Sequence, residues 1–129
     1  MTVPKVLLVE DEFLIATMIG EALADGGFDV IPVVNGTRAV AELEAEGSRF
    51  RALITDIRLG KGPDGWEISR RARELIPGVP VIYVSGDSSS DWASKGVPNS
   101  VMVAKPFAPA QIVTALATLV TEAESHPAA

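Results

Sequence analysis

The chain has 129 residues, of which 47% are hydrophobic, and its formal net charge is −6. This length fits one compact domain, and the hydrophobic content is enough for a buried core, which excludes long disorder. An acidic chain disfavours contact with nucleic acid or anionic lipid, and the lack of cysteine excludes disulfides, thiolate metal sites and cysteine nucleophiles.

Targeting segments are not visible in the sequence. The first apolar run, from Val6 to Val9, is too short for a signal peptide. No stretch approaches the roughly 18 apolar residues that a membrane span requires. We therefore expect a soluble, cytoplasmic protein that docks on neither membrane nor nucleic acid.

Short β-rich runs alternate with helical stretches in chain order. The runs are typical of strands in a buried sheet, and the helical stretches repeat apolar residues every three or four positions. The predicted strands are Lys5–Val9, Asp29–Val34, Ala52–Thr55, Val79–Val84 and Val101–Ala104. The predicted helices run from Leu14 to Leu23, Thr37 to Glu46, Trp66 to Ile76, Ser88 to Lys95 and Pro109 to Glu122.

The apolar spacing also predicts which helical side chains point inward. In the first helix they are Leu14, Ile15, Met18, Ile19, Ala22 and Leu23. In the third helix they are Ile68, Ala72, Leu75 and Ile76, with a solvated face of Arg70, Arg71 and Arg73. The large aromatic residues interpreted as packing residues are Trp66, Tyr83 and Trp92.

Strands and helices that alternate with short connections predict an α/β fold, with parallel strands and helices on both faces of the sheet. One domain of residues 1–124 accounts for this pattern, and residues 125–129 are expected to form a flexible tail. Ser88 and Asp91 resemble a capping box at the start of the weak fourth helix. His126, in the tail, is not expected to bind metal or carry a phosphoryl group.

Polar residues follow the apolar strands at the points where the strands end. Glu10 and Asp11 follow the first strand, Asp56 the third, Ser85 the fourth and Lys105 the fifth. Ligands of open parallel sheets bind outside the carboxyl ends of the strands, at the point where the strand order reverses. If the strand order is 2-1-3-4-5, the three carboxylates converge in one crevice.

Three neighbouring carboxylates need a counter-charge, because like charges raise one another's pKa. A hard divalent cation such as Mg²⁺, held by a few carboxylates and several waters, supplies it. A lysine and a hydroxyl beside that metal suit a phosphoryl group. The residues therefore predict an acidic site for Mg²⁺ and phosphate.

From Lys5 to about Val120 the chain resembles the response-regulator receiver family. The resemblance is carried by five motifs in the family's order, each near a strand end: Val9–Glu12, Ile54–Leu59, Asp64–Gly65, Val84–Gly86 and Lys105–Phe107. It implies a flavodoxin-like, doubly wound, five-stranded parallel sheet in the order 2-1-3-4-5 with five helices. It also implies Mg²⁺-dependent transfer of a phosphoryl group from phosphohistidine to an aspartate.

The resemblance assigns Asp56 as the nucleophile that forms the acyl phosphate. Asp11 and Asp56 would ligate Mg²⁺ directly, Glu10 directly or through water, and the backbone carbonyl of Arg58 would be a further ligand. Lys105 would pair with the phosphoryl oxygens.

Two further family features concern the residues around the acceptor. Ser85 would offer its hydroxyl to the bound phosphoryl group. The Lys105–Pro106 bond is expected to be cis, as it is in the family.

The chain also departs from the family pattern. Met102 stands where the family often has an aromatic residue that swings inward on activation, so a graded rearrangement is expected instead. Arg58 and Asp87 occupy positions that tune phosphoryl lifetime in the family, and their opposite charges suggest a pair across the mouth of the site. The loop from Gly60 to Pro63 is one or two residues longer than usual.

The resemblance implies a histidine kinase or histidine phosphotransfer protein as donor. A downstream protein would bind the face made by the fourth helix, fifth strand and fifth helix, and phosphorylation could promote a homodimer. The chain would not be a turnover enzyme, since it would catalyse only its own phosphorylation and dephosphorylation. We expect a stand-alone receiver.

Other functions fit the sequence less well. The receiver portion of a hybrid histidine kinase is an alternative within the same family. A small aspartyl phosphatase would place its nucleophile after the first strand, with a second aspartate two residues on, whereas Arg58 lies two residues beyond Asp56. A nucleotide or flavin binder would need a glycine-rich motif at the first helix. A degenerate receiver is disfavoured by the complete set of acidic residues.

Overall fold

The computed structural model describes residues 3–87 and 89–125. Five parallel strands form one sheet in the order β2-β1-β3-β4-β5, which confirms the predicted strand order. The strands are β1 Lys5–Val9, β2 Asp29–Val33, β3 Phe50–Asp56, β4 Val81–Ser85 and β5 Val101–Ala104. The helices are α1 Phe13–Asp25, α2 Gly36–Glu46, α3 Gly65–Leu75, α4 Trp92–Lys95 and α5 Pro109–Ser125, with 3₁₀ turns at Gly47–Arg49 and Ser89–Asp91.

The register of the sheet brings the carboxyl ends of the strands to one edge. Val9, the last residue of β1, pairs with Thr55 of β3, so β1 and β3 end within one residue of each other. Ser85, the last residue of β4, pairs with Ala104, the last residue of β5. Polar residues that follow these strands must therefore lie side by side, whatever their distance in sequence.

Each face of the sheet packs against its own pair of helices, because side chains alternate along the strands. The first core cluster joins the sheet to α2 and α3 and includes Leu7, Val9, Leu43, Leu53, Ile68, Ala72 and Tyr83. The second joins it to α1 and α5 and includes Val6, Leu8, Ile19, Leu23, Ile54, Ile82, Ile112 and Leu116. β1, β3 and β4 are buried on both faces, which explains their continuous apolar sequence.

The predicted inward face of α1 is wrong at two positions. Leu14 is 80% exposed and Met18 is 40% exposed, whereas Ile19 and Leu23 are buried. Adjacent residues on a helix point about 100° apart, and at both positions the residue that follows, Ile15 or Ile19, is the one packed in or against the second core cluster. Phe13, at the first position of α1, is also 79% exposed.

Three other side chains differ from the sequence prediction: two are more exposed, and one forms hydrogen bonds where a solvated side chain was expected. Leu75, the last residue of α3, is 36% exposed, and Trp92 is 38% exposed instead of packed in the core. Arg73 does not lie on a solvated face: its Nε donates to the Val79 carbonyl at 2.7 Å and its Nη1 to the Pro98 carbonyl at 2.6 Å. Burial lowers the pKa of this guanidinium.

The fourth helix is shorter than the predicted Ser88–Lys95. A 3₁₀ turn at Ser89–Asp91 precedes a single α-helical turn, Trp92–Lys95. Ser88 lies outside the described residues, and Asp91 makes no side-chain capping hydrogen bond.

Several element ends also differ from the sequence prediction, and β3, predicted as Ala52–Thr55, runs from Phe50 to Asp56. β4 begins at Val81, one residue after Pro80, whose ring removes a ladder donor. Ser125, predicted to begin the tail, is the last residue of α5, and the remaining predicted tail with His126 lies outside the described residues. Within residues 3–87 and 89–125, no helix has both the length and the apolar character to cross a membrane.

Candidate functional site

Three carboxylates converge at the carboxyl edge of the sheet. Glu10 and Asp11 follow β1 directly, and Asp56 is the last residue of the neighbouring strand β3. Each can bring a carboxylate oxygen within 4.8 Å of the other two. Glu10 and Asp56 are only 2% and 8% exposed, whereas Asp11 is exposed to solvent. The cluster is therefore anchored in the fold but open on one side.

Lys105 lies against two of these carboxylates. Its Nζ is 3.1 Å from Asp56 Oδ2 and 3.3 Å from Glu10 Oε1, with Glu12 Oε1 at 4.0 Å. The residue follows β5, and its backbone N–H donates to the Ser85 carbonyl at 2.8 Å. The Lys105–Pro106 bond is cis, as predicted.

The carboxylate of Asp56 is held at both oxygens. Oδ1 accepts a hydrogen bond of 2.7 Å from the Ile57 N–H, and Oδ2 accepts the bond from Lys105. The Thr55 hydroxyl donates to the Asp56 carbonyl at 2.7 Å, which ties down the main chain at the strand end. A side chain fixed at both oxygens presents its carboxylate in one orientation.

The pKa of Glu10 is raised from 4.5 to about 7. Burial is the largest cause, and the Asp56 charge adds to it, while the hydrogen bond from the Glu12 N–H and the Lys105 charge oppose it. For Lys105, burial alone would lower the pKa, but Asp56 and Glu10 outweigh burial and raise it. The ammonium group therefore stays charged near neutral pH.

The donor set fits a hard divalent cation. All three clustered groups offer carboxylate oxygens, and one lysine offsets only part of their combined negative charge. Mg²⁺ takes oxygen ligands, commonly one or two carboxylates and several waters, and exposed Asp11 leaves room for those waters. The cluster could thus hold Mg²⁺. The contribution of the Arg58 carbonyl stays a prediction.

An ion pair joins the loops that follow β3 and β4. Arg58 Nε donates to Asp87 Oδ1 at 2.9 Å, so the oppositely charged pair expected from the sequence is present. Both side chains are largely exposed, at 75% and 61%. The Ser85 hydroxyl oxygen accepts the Asp87 N–H at 3.2 Å, which links this pair to the end of β4.

The loop between Asp56 and α3 depends on two close backbone approaches. A Cβ on Gly65 would lie 2.4 Å from the Asp56 carbonyl oxygen, and a Cβ on Gly36 would lie 2.0 Å from the Pro63 carbonyl oxygen. Asp64 then begins α3 with a capping box to Glu67. This loop is thus packed against the start of α2.

Sequence reasoning missed some members of the site. Glu12 and the Ile57 N–H were not predicted, although each is next to a predicted residue in the sequence. Met102, at the position of the family's aromatic residue, is half-buried, packs against the first core cluster and pairs with Tyr83 across β4 and β5.

Comparisons with known proteins match most of the chain to one family. The family model described as "Response regulator receiver domain" matches residues 6–117. A crystal structure of a response regulator receiver protein from Sinorhizobium medicae WSM419 is 38% identical, with a TM-score of 0.88, and the match covers 92% of this chain and 94% of that chain.

Curated relatives show the same similarity at lower coverage of their own length. The C4-dicarboxylate transport transcriptional regulatory protein DctD of Rhizobium meliloti (strain 1021) is 30% identical over 112 residues, which are 85% of this chain and 24% of DctD. The response regulator receiver protein CpdR of Brucella abortus (strain 2308) is 33% identical over 82 residues, 64% of this chain and 66% of CpdR. The chain spans less than half the length of DctD and of two further curated relatives.

The raised pKa of Glu10 predicts a pH dependence of stability in metal-free protein. Between pH 4.5 and about 7 the folded state keeps a proton on Glu10 that the unfolded chain loses. The free energy of unfolding should therefore fall as pH rises through this window. In Glu10→Gln this contribution is absent. The free energy of unfolding of the variant, relative to that of the wild type, should therefore rise from pH 5 to pH 8 by on the order of 2 to 3 kcal/mol.

Chemical denaturation in the presence of EDTA at pH 5, 6, 7 and 8 measures this difference. Glu21→Gln, which removes an exposed carboxylate from α1, controls for the loss of one charge. Parallel pH profiles for the wild type and Glu10→Gln would contradict the prediction.

Proposed function

The chain belongs to the response regulator receiver domain family, and on that premise we propose that it accepts a phosphoryl group on Asp56, with Mg²⁺ bound, and thereby switches its contacts with other proteins. The family places the chain in phosphoaccepting two-component signalling. The transfer to Asp56, its metal requirement and its partners are the proposal.

One observation carries the proposal. Asp56 is the carboxylate at the centre of the site, with Lys105 Nζ 3.1 Å from Oδ2 and with Glu10 and Asp11 beside it. A nucleophile needs a fixed orientation, and an incoming phosphoryl group needs positive charge around its oxygens. The two hydrogen bonds to Asp56 fix the orientation of its carboxylate, and Lys105 supplies part of the positive charge.

The proposed donor is the phosphohistidine of a histidine kinase or phosphotransfer protein. An oxygen of Asp56 attacks the phosphorus, the phosphorus–nitrogen bond breaks, and its electron pair leaves with the imidazole. Lys105 moves its charge from Asp56 towards the transferred oxygens, and the Ser85 hydroxyl donates to one of them. Mg²⁺, when held by Asp11, Asp56, Glu10 and the Arg58 carbonyl, would offset the charge that gathers as the phosphoryl group arrives.

The surface of α1 beside the site supports a protein donor. Phe13, Leu14 and Met18 are exposed by 79%, 80% and 40%, and Val34, which follows β2, by 63%. The backbone N–H of Glu10 donates to the Val33 carbonyl, so this apolar surface borders the acidic cluster. A donor that brings phosphohistidine to Asp56 must cover this rim, and apolar contacts there would hold it in register.

Other parts of the proposed function concern the output of the phosphorylated protein. The target protein binds the face of α4, β5 and α5, and a homodimer formed on phosphorylation is an alternative output. The chain catalyses only its own phosphorylation and dephosphorylation, so it is a switch and not a turnover enzyme.

We predict Mg²⁺-dependent labelling of Asp56 by a small phosphodonor such as phosphoramidate, mapped by mass spectrometry. Asp56→Asn should lose the label, and Asp11→Asn should need much more Mg²⁺ because an exposed ligand is removed. Mg²⁺ should also raise the melting temperature of the wild type, since it binds only the folded state. Equal labelling of a folded Asp56→Asn protein would sink the assignment.

The exposed apolar surface of α1 leads to a separate prediction, which distinguishes protein phosphodonors from small-molecule phosphodonors. Leu14→Ser should slow phosphotransfer from a histidine kinase that labels the wild type, by about tenfold, because a central apolar contact is lost. Labelling by phosphoramidate should be unchanged. Thr17→Ala, a small change on an exposed residue of the same helix, is the control. Equal loss with both donors would mean that the substitution acts through the site and not through docking.

The Arg58–Asp87 pair should lengthen the life of the acyl phosphate. Placed over the mouth, it would restrict the in-line water that hydrolysis requires. Because both side chains are largely exposed, the pair itself adds only about 0–1 kcal/mol of stability.

Dephosphorylation of the wild type, Arg58→Ala, Asp87→Ala and the double variant tests this gate. Each single substitution should speed hydrolysis severalfold, and the double variant should add little more, since either change removes the same pair. Strictly independent effects, or none, would rule out a gate made by the two residues together.

A further inference from the structure

The segment of residues 92–100, which contains α4, is attached to the fold by few buried side chains. α4 is a single turn with no buried residue. Between Trp92 and Ser100 only Val97, at 8% exposure, and Ser100, at 9%, are buried. Val97 is therefore the one buried apolar side chain that anchors this segment, and hydrogen bonds must supply much of the remaining attachment to the fold.

A buried chain of hydrogen bonds ends on the backbone of Val97. The Ser69 hydroxyl donates to the Trp66 carbonyl at 2.8 Å, which uses its only proton. In the contact between Ser69 and Tyr83 the Tyr83 hydroxyl must then be the donor. The Tyr83 oxygen in turn accepts the Val97 N–H at 3.0 Å. Every proton in this chain is assigned, and Tyr83 itself is fully buried.

A second set of bonds closes the segment on itself. The Trp92 Nε1–H donates to the Ser100 hydroxyl at 2.9 Å, and Ser100 donates to the Val97 carbonyl at 2.6 Å. The Trp92 ring lies over Gly96, where a Cβ would come within 2.4 Å of the ring carbon Cδ1. Both polar groups of the Val97 backbone are thus held, one from the core and one from within the segment.

We propose that Ser69, Tyr83, Trp92, Val97 and Ser100 form a latch that keeps residues 92–100 docked in the unphosphorylated protein, and that phosphorylation of Asp56 opens it. The inference rests on the proposed function and adds the element through which the site controls its output surface. Segments held by few apolar contacts are the ones that open most readily. Loss of the Tyr83 bond leaves a buried N–H without a partner, so the latch opens as a unit.

β4 connects the site to the latch. Tyr83 and Ser85 lie two residues apart on this strand, and hence on the same face of the sheet. Ser85 accepts the Asp87 N–H at the start of the chain that leads into α4. A Ser85 hydroxyl drawn towards a phosphoryl group releases that N–H and shifts the entry to the segment. The hydrogen bonds of the latch, at the far end of the segment, must then shift with it or break.

The first experiment tests the latch without phosphorylation, by native-state hydrogen exchange followed by NMR. In Tyr83→Phe the amides of residues 93–100, apart from Pro98, which has none, should exchange about tenfold faster as a group, while those of α1 and α5 keep wild-type rates. Ser94→Ala is the matched control, because Ser94 lies in α4 and its hydroxyl bonds only the Asp91 carbonyl. Gly96→Ala, which displaces the Trp92 ring, should act like Tyr83→Phe. Unchanged rates, or acceleration of the Val97 amide alone, would overturn the latch.

The second experiment adds Mg²⁺ and beryllofluoride, with binding followed by ¹⁹F NMR and Asp56→Asn as the blank. In the wild type the exchange of residues 93–100 should accelerate, and in Tyr83→Phe the added effect should be much smaller, because the latch is already open. Binding at Asp56 with unaltered or slower exchange in the segment would refute the latch and leave the proposed function standing. Failure of beryllofluoride to bind, or equal binding to Asp56→Asn, would refute both.

Discussion

The site is organised by one electrostatic constraint, which is the crowding of the Glu10, Asp11 and Asp56 carboxylates, two of which contact the single ammonium group of Lys105. Lys105 neutralises one charge at most, and burial, with a smaller addition from the Asp56 charge, raises the pKa of Glu10. Such a cluster can bind a divalent cation, and with it an anionic group such as a phosphoryl group whose charge the cation offsets. Asp11 stays exposed beside this cluster, and both oxygens of Asp56 are held by donors.

The regions around this cluster differ in how they are held, and that difference suits a switch. The central strands are buried on both faces and cannot move without loss of core packing. The segment of α4 depends instead on hydrogen bonds, with Arg73 adding a bond to the Pro98 carbonyl. Directional bonds break over a short displacement, whereas an apolar contact weakens gradually. A small motion at Ser85 can therefore have a large effect there and little effect on the sheet.

Much of the fold could be predicted because the signals are local and repeated. Continuous apolar strands and helices with apolar residues three or four apart predict a parallel sheet covered on both faces. The polar residue after each strand then predicts the site, since parallel strands end at one edge. Element ends were predicted less well. Asp56 belongs to β3 because the sheet register, and not the local sequence, decides where pairing stops. β4 begins only after Pro80, whose ring removes a ladder donor.

By itself the sequence determined the α/β architecture, the identity of the acidic residues and their placement at strand ends, because these follow from periodicity and from the chemistry of single side chains. Only the tertiary structure decided which apolar face of α1 is buried, that Arg73 caps backbone carbonyls, and that Tyr83 holds the backbone of Val97. Each of these depends on partners distant in sequence. A helix does not specify which of two adjacent apolar stripes will meet the sheet, and a buried hydroxyl does not specify its acceptor, until the chain has closed around them.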